Sequence, residues 1–172
     1  MKIAKVAGGG GGFDIPTPGP VGTHPAIVVD VMDEPQKLVP SYDNPAELVK
    51  KDVTRILYAY QADGSNYLCQ TWEMTVSSSP KAKLYNHLKD LMGSPPPFED
   101  EDFDYCDLIG THCQITVASK VSRKGKSYVF VDSVGPILEE SRARCPKIED
   151  IEVPGGRLCP IPEKAGTDKN PF

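Results

Sequence analysis

The chain has 172 residues, 39 % of them hydrophobic, and a formal net charge of −5. That length fits one domain with extensions rather than two full domains, and the hydrophobic share supports a core over only part of the chain. The acidic balance excludes a uniformly basic, purely charge-driven nucleic-acid binder, and no apolar stretch is long enough to span a membrane.

In chain order, Met1–Val6 carries lysines but lacks the apolar segment of a secretory signal. Gly8–Gly12 and Pro16, Pro18, Pro20 and Pro25 follow. Such a stretch buries too little apolar surface to offset its ordering entropy, so residues 1–25 are expected to form a flexible arm. Ala26–Met32 is apolar and β-branched and predicts a first strand. Lys37–Lys51 reads as a polar connection with room for a short helix after Asn44-Pro45.

Asp52–Tyr60 predicts a second strand, and the Asp63-Gly64 dipeptide between two β-rich runs is a hairpin turn signal. Asn66–Val76 predicts the third strand. Ser79 and Pro80 then provide an N-cap and a first helical position, and Leu84, Leu88 and Leu91 recur at helical spacing. Gly93 ends that helix, and Pro95–Pro97 prevent its continuation. An acidic run, Glu99–Asp107, reads as a solvated linker. Thr111–Val121 and Ser127–Val134 predict two further strands around the turn Arg123–Lys126. From about Arg142 to Phe172 periodicity is lost again and prolines recur, so residues 139–172 are expected to be a Pro-rich tail.

The resulting order is β-β-β-α-β-β, with the folded domain over residues 26–138. Five strands with a helix between the third and fourth form the OB arrangement, a Greek-key barrel that binds oligonucleotides across one face. The run Asp107–Gly110, the strand after it, the Lys/Gly hairpin and Tyr128–Val131 resemble the last hairpin of single-stranded DNA-binding proteins, particularly the small versions encoded by bacteriophages. The end of the chain, Pro171-Phe172, is similar to the tip with which bacterial proteins of that kind dock on replication and repair partners. Residues 139–172 mix acids with bases, whereas the approach to that tip is acidic in those proteins. The resemblance implies a protein that coats single-stranded DNA in replication, recombination or repair, in a host cytoplasm.

Single strands are held by aromatic faces that stack on bases and by cations that follow the phosphates. By strand alternation Tyr58 and Tyr60 share a face with Ile56, and Tyr128 shares one with Phe130. Tyr58, Tyr60, Tyr67, Tyr128 and Phe130 are therefore the candidate stacking residues, although aromatic residues also favour pleated surfaces and cores without any ligand. Trp72 aligns with Leu68 and Met74 and is expected in the core. Lys120, Arg123, Lys124 and Lys126 form a cationic hairpin tip suited to phosphates, and Arg55, with Lys50 and Lys51, extends the track. Without the acidic run the middle of the chain is close to neutral, so a local basic face is compatible with the net charge.

No catalytic constellation is found, and the chain is expected not to be an enzyme. Lys124-Gly-Lys-Ser127 lacks the first glycine of a phosphate-binding loop, because Lys120 stands there. No Gly-x-Ser-x-Gly elbow occurs. His24, His87 and His112 have no evident catalytic company, and His87 is placed on the polar side of the helix. The five cysteines lack a Cys-x-x-Cys knuckle, so no metal or other cofactor is expected, and they read as reduced thiols. RNA binding by the same face, docking of replication or recombination proteins on Pro171 and Phe172, and self-association through barrel edges are compatible with the sequence. A second class of function stays open beside the first: a protein-interaction module or an inhibitor of a replication or defence enzyme, acting through the acidic loop and the C-terminal tip.

Overall fold

The computed structural model describes residues 19–100 and 102–162. The fold is mainly β: one antiparallel sheet of six strands that does not close on itself. The strands are β1 (Gly22–Pro40), β2 (Leu48–Ala62), β3 (Ser65–Gln70), β4 (Met74–Thr75), β5 (His112–Val121) and β6 (Ser127–Gly135), and one helix, α1 (Lys83–Met92), lies between β4 and β5. The order across the sheet is β3-β2-β1-β5-β6, with β4 beside β2. An isolated parallel bridge joins Thr71, just past β3, to Val131 of β6.

β1 is the spine of this arrangement. Its first part pairs with β5, from Gly22 opposite Val117 to Ile27 opposite His112, while its whole length from Ala26 pairs with β2. A register shift between Val28 and Asp30 bends it where it leaves β5. There Val28 exchanges hydrogen bonds with the loop before β5, donating to the Thr111 carbonyl and accepting from Gly110 N–H. A bulge adds local twist to a strand, and this one falls where β1 parts from β5 while its pairing with β2 continues.

The expected polar connection over Lys37–Lys51 is instead the far end of the β1–β2 hairpin. Leu38 pairs with Lys50 and Val39 with Val49, and the turn itself lies between Pro40 and Leu48. Leu38 and Leu48 are exposed on this ladder, and the Asn44-Pro45 signal marks the turn rather than a helix. At the base of this extension Gln36 takes a left-handed conformation, φ 57°, and its N–H donates to the Asp52 carboxylate at 2.9 Å.

The turn signals are realised. Asp63 and Gly64 have φ of 51° and 76° and close the β2–β3 hairpin. Gly93 is left-handed, φ 74°, and its N–H caps the Lys89 carbonyl. The helix begins later than its N-cap signal: Ala82 is the N-cap residue, and Ser79 and Pro80 form a preceding turn in which the Ser79 carbonyl accepts from Ala82 N–H. Leu84, Leu88 and Leu91 are buried as their spacing requires.

The chain after β6 is not a loose tail as far as Pro162. Short 3-10 turns at Glu139–Arg144 and Ile148–Asp150 lead into a segment that buries Ile148, Ile151, Val153 and Cys159 against the core. Asp30, fully buried at the β1 bend, holds this segment by accepting hydrogen bonds from the N–H groups of Leu158 at 2.9 Å and Cys159 at 3.0 Å. Arg157 donates to the carbonyls of Val29, Ile148 and Ile151. Burial pushes the Asp30 carboxyl up, against the opposing pull of those N–H donors and of Arg157.

The acidic run is likewise more than a solvated linker. Phe103, Tyr105 and Leu108 are buried, and ring contacts run from Tyr85 of α1 through Phe98 and Phe103 to Tyr105. Cys106, in the 3-10 turn Tyr105–Leu108, is joined to Cys159 by a disulfide, so two of the thiols expected to be reduced are paired. Cys69, Cys113 and Cys145 are free thiols, and burial raises all three.

Candidate nucleic-acid interface

β2 is buried on both faces over its central stretch, because residues 56–60 have no exposed member. Tyr58 and Tyr60 are therefore not stacking residues: both are fully buried and offer no ring face to a base. The Tyr58 hydroxyl is hydrogen-bonded to His87 Nε2 at 2.7 Å. His87 consequently faces inward from α1 rather than lying on its polar side, and burial pushes its imidazole down to about 4. Burial also raises the Tyr58 hydroxyl well above its ordinary range.

Tyr60 is covered by the chain entering β1. The His24 ring stacks on it at 4.7 Å, and its hydroxyl donates to the Pro20 carbonyl at 3.2 Å. Gly19 lies so close that an added Cβ would stand 2.6 Å from the Tyr67 ring and overlap the Tyr60 hydroxyl. Residues 19–25 are thus part of the folded unit instead of the flexible arm; residues 1–18 lie outside the described residues. Tyr67 is half-buried and tilted against Tyr60 at 5.7 Å.

The aromatic surface forms elsewhere, at the Thr71–Val131 bridge. The Thr71 side chain turns inward and its Oγ1 accepts from Ile56 N–H at 3.1 Å, while Thr71 N–H donates to the Ile56 carbonyl at 3.0 Å. Cys69 and Thr71 are buried, and Trp72, the next residue, is 46 % exposed. The expected third strand is broken between Gln70 and Met74, and this irregular step resets the alternation, so Met74 is buried although Trp72 is not. Trp72 is therefore a surface residue rather than the core residue its alignment with Leu68 and Met74 suggested.

The bridge brings Trp72 to β6. Its ring lies 4.9 Å from Phe130 and 6.0 Å from Tyr128, and Lys126 Nζ sits 5.8 Å above the Tyr128 ring. Lys120 pairs directly with Tyr128 and Ala118 with Phe130, and residues paired across antiparallel strands share a face. Trp72, Tyr128, Phe130, Lys120 and Lys126 thus form one continuous patch. The turn beyond it is closed by hydrogen bonds between Ser122 and Lys126 and by Gly125 at φ 79°. It carries Arg123 and Lys124, and among the described residues none of Lys120, Arg123, Lys124 and Lys126 forms an ion pair.

Arg55 does not join this track. It is ion-paired to Glu73 at 2.9 Å, and Glu73 also holds Lys37, which reaches Glu34 at 3.5 Å. Two cations and two carboxylates there cancel, leaving no net charge for a phosphate. Lys50 and Lys51 lie on the β1–β2 extension, paired to Leu38 and Lys37. Pro171 and Phe172 lie outside the described residues.

No helix among the described residues is long and apolar enough to cross a membrane. Among the same residues no cluster of three or more His, Cys, Asp or Glu is placed to hold a metal ion. No protein-family model matches the sequence, and no curated protein matches it. The function is therefore read from the surface itself: three adjacent aromatic rings, partly open to solvent, bordered by cations that have no carboxylate partner among the described residues.

Proposed function

We propose that the chain is a single-stranded nucleic-acid-binding module of OB type that coats single-stranded DNA during replication, recombination or repair, in the manner of the small phage proteins it resembles. The observation that carries this reading is the patch of Trp72, Tyr128 and Phe130 beside Lys120 and Lys126. Rings of this kind stack on any base, and adjacent cations neutralise the backbone without reading sequence. A patch made for a protein partner has no need of a cationic rim free of carboxylate partners.

The strand arrangement supports the OB assignment. The order β3-β2-β1-β5-β6, a helix before β5, a long first strand with a register shift and a parallel bridge from the end of β3 to β6 are compatible with a five-stranded barrel whose third strand is split, although the six-stranded sheet itself is open. The last hairpin, β5–β6, would then flank the binding face.

The test is fluorescence anisotropy of labelled oligo-dT, with matched duplex DNA and oligo-U alongside. Replacing Trp72 and Phe130 singly by alanine is expected to cost about 1–3 kcal/mol each, roughly fivefold to a hundredfold in Kd. Undiminished binding by both variants would remove the patch from the mechanism. The same measurement ranks DNA against RNA, since base faces and phosphates are common to both.

A further inference from the structure

Beside the aromatic patch, α1 and β6 enclose a groove of about 360 Å³, and Trp72 forms part of its wall. That size lies at the small end for ligand sites and suits one nucleoside rather than an oligomer. Its lining is polarised by residue type. Lys81 and Lys83 flank the start of α1, whereas Asp90, further along the helix, and Asp132 on β6 supply carboxylates. None of these four forms an ion pair among the described residues.

Asn86 lines the groove between the two ends of the helix. Its amide nitrogen is committed to the carbonyls of Pro80 at 2.9 Å and Ala82 at 3.0 Å, which leaves its side-chain oxygen as an acceptor. The acceptor-only side chains of the groove are therefore the two carboxylates, with the Asn86 oxygen beside them; its charged donors are two lysines, and Thr71, His87 and Ser133 complete the polar lining.

We infer that this groove receives one base of the bound strand and favours bases bearing an exocyclic amino group, cytosine over thymine. The inference rests on the single-strand reading above. A phosphate is repelled by Asp90 and Asp132 and attracted by Lys81 and Lys83, so the strand enters with its backbone toward the lysines and its base toward the carboxylates. Trp72 supplies the stacking wall. Cytosine presents an N4 amino group, which carboxylates and the Asn86 oxygen accept, whereas thymine presents O4 at the same place, an acceptor that the carboxylates of Asp90 and Asp132 repel.

The experiment compares labelled oligo-dC and oligo-dT of equal length, by anisotropy at one salt concentration and neutral pH. The natural protein is expected to bind oligo-dC about tenfold more tightly, the discrimination of one well-formed polar contact to a base edge. Asp132→Asn and Asp90→Asn replace an obligate acceptor by a side chain that also donates, and each is expected to bring the ratio of the two affinities toward one. Both changes are on the surface, and the ratio is insensitive to the amount of folded protein. Equal affinities in the natural protein, or a preference that persists in both variants, would overturn the groove assignment while leaving the aromatic patch in place. Failure of both oligonucleotides to bind would overturn the single-strand reading together with it.

Discussion

His87 makes this fold acid-labile in a defined window. Its imidazole is held inward against Tyr58, with its protonation pushed down to about 4 from the ordinary 6.5. Between those two values the unfolded chain binds a proton that the folded chain excludes. Stability therefore rises with pH through the window and is lost as pH falls through it. Each pH unit is worth about 1.36 kcal/mol, so the loss from about pH 6.5 to about pH 4 is about 3 kcal/mol, a large share of the 5–15 kcal/mol of a typical domain.

Carboxylates also titrate below the upper end of that range, so the measurement is a difference. Urea denaturation of the natural protein and of His87→Gln, followed from about pH 7 down to about pH 4, isolates the histidine. Glutamine keeps a polar partner for the Tyr58 hydroxyl and cannot be protonated. The natural protein is expected to lose about 3 kcal/mol more than the variant across the window. Parallel stability curves, or a His87 ring that titrates near its ordinary value by NMR, would refute the half-buried, neutral assignment.

Asp30→Ala removes the acceptor for Leu158 and Cys159 N–H at the β1 bend and is expected to cost about 3 kcal/mol or more, with faster hydrogen exchange at those two amides; unchanged exchange there would show that Asp30 does not hold the C-terminal segment. The Cys106–Cys159 disulfide spans a sequence separation of 53 residues, for which chain entropy predicts a loss of about 4 kcal/mol on reduction. A denaturation midpoint unaffected by dithiothreitol would contradict that contribution. Replacing Lys124 and Lys126 together by glutamine is expected to flatten the dependence of log affinity on log salt by about 1.4, at about 0.7 for each phosphate no longer neutralised. An unchanged slope would remove the hairpin tip from the phosphate track.

The central strands, the Asp63-Gly64 hairpin and the Gly93 cap were legible because local chemistry decides them. β-branched runs favour a pleated surface, and left-handed positions favour glycine or short polar residues. The helix could be read from Leu84, Leu88 and Leu91, but its start could not, since Ser79 and Pro80 serve equally well in a preceding turn.

The site was legible only in part, for a geometric reason. Alternation assigns residues to faces but does not say which faces are covered. The faces of Tyr58 and Tyr60 are closed by α1 and by residues 19–25, which are remote from them in sequence. Trp72 was misplaced because a single irregular step between β3 and β4 reverses the alternation, and the inward turn of Thr71 that causes it depends on a hydrogen bond to a different strand. The packing of Ile148, Ile151 and Val153 was hidden for a similar reason. An irregular segment that buries isolated side chains has no period, and Asp30, its anchor, reads in sequence as one charge inside an apolar strand.

The most direct test of the proposed function uses Trp72 itself, since it is the chain's single tryptophan and every change in tryptophan emission reports on the patch. Intrinsic fluorescence should be followed while oligo-dT is added at low salt, then repeated at high salt and with duplex DNA. Stacking on Trp72 predicts saturable quenching by oligo-dT that weakens as salt rises and is much smaller with duplex. Oligo-dT that fails to bind, or that binds by anisotropy while leaving the Trp72 emission unchanged, would contradict the account.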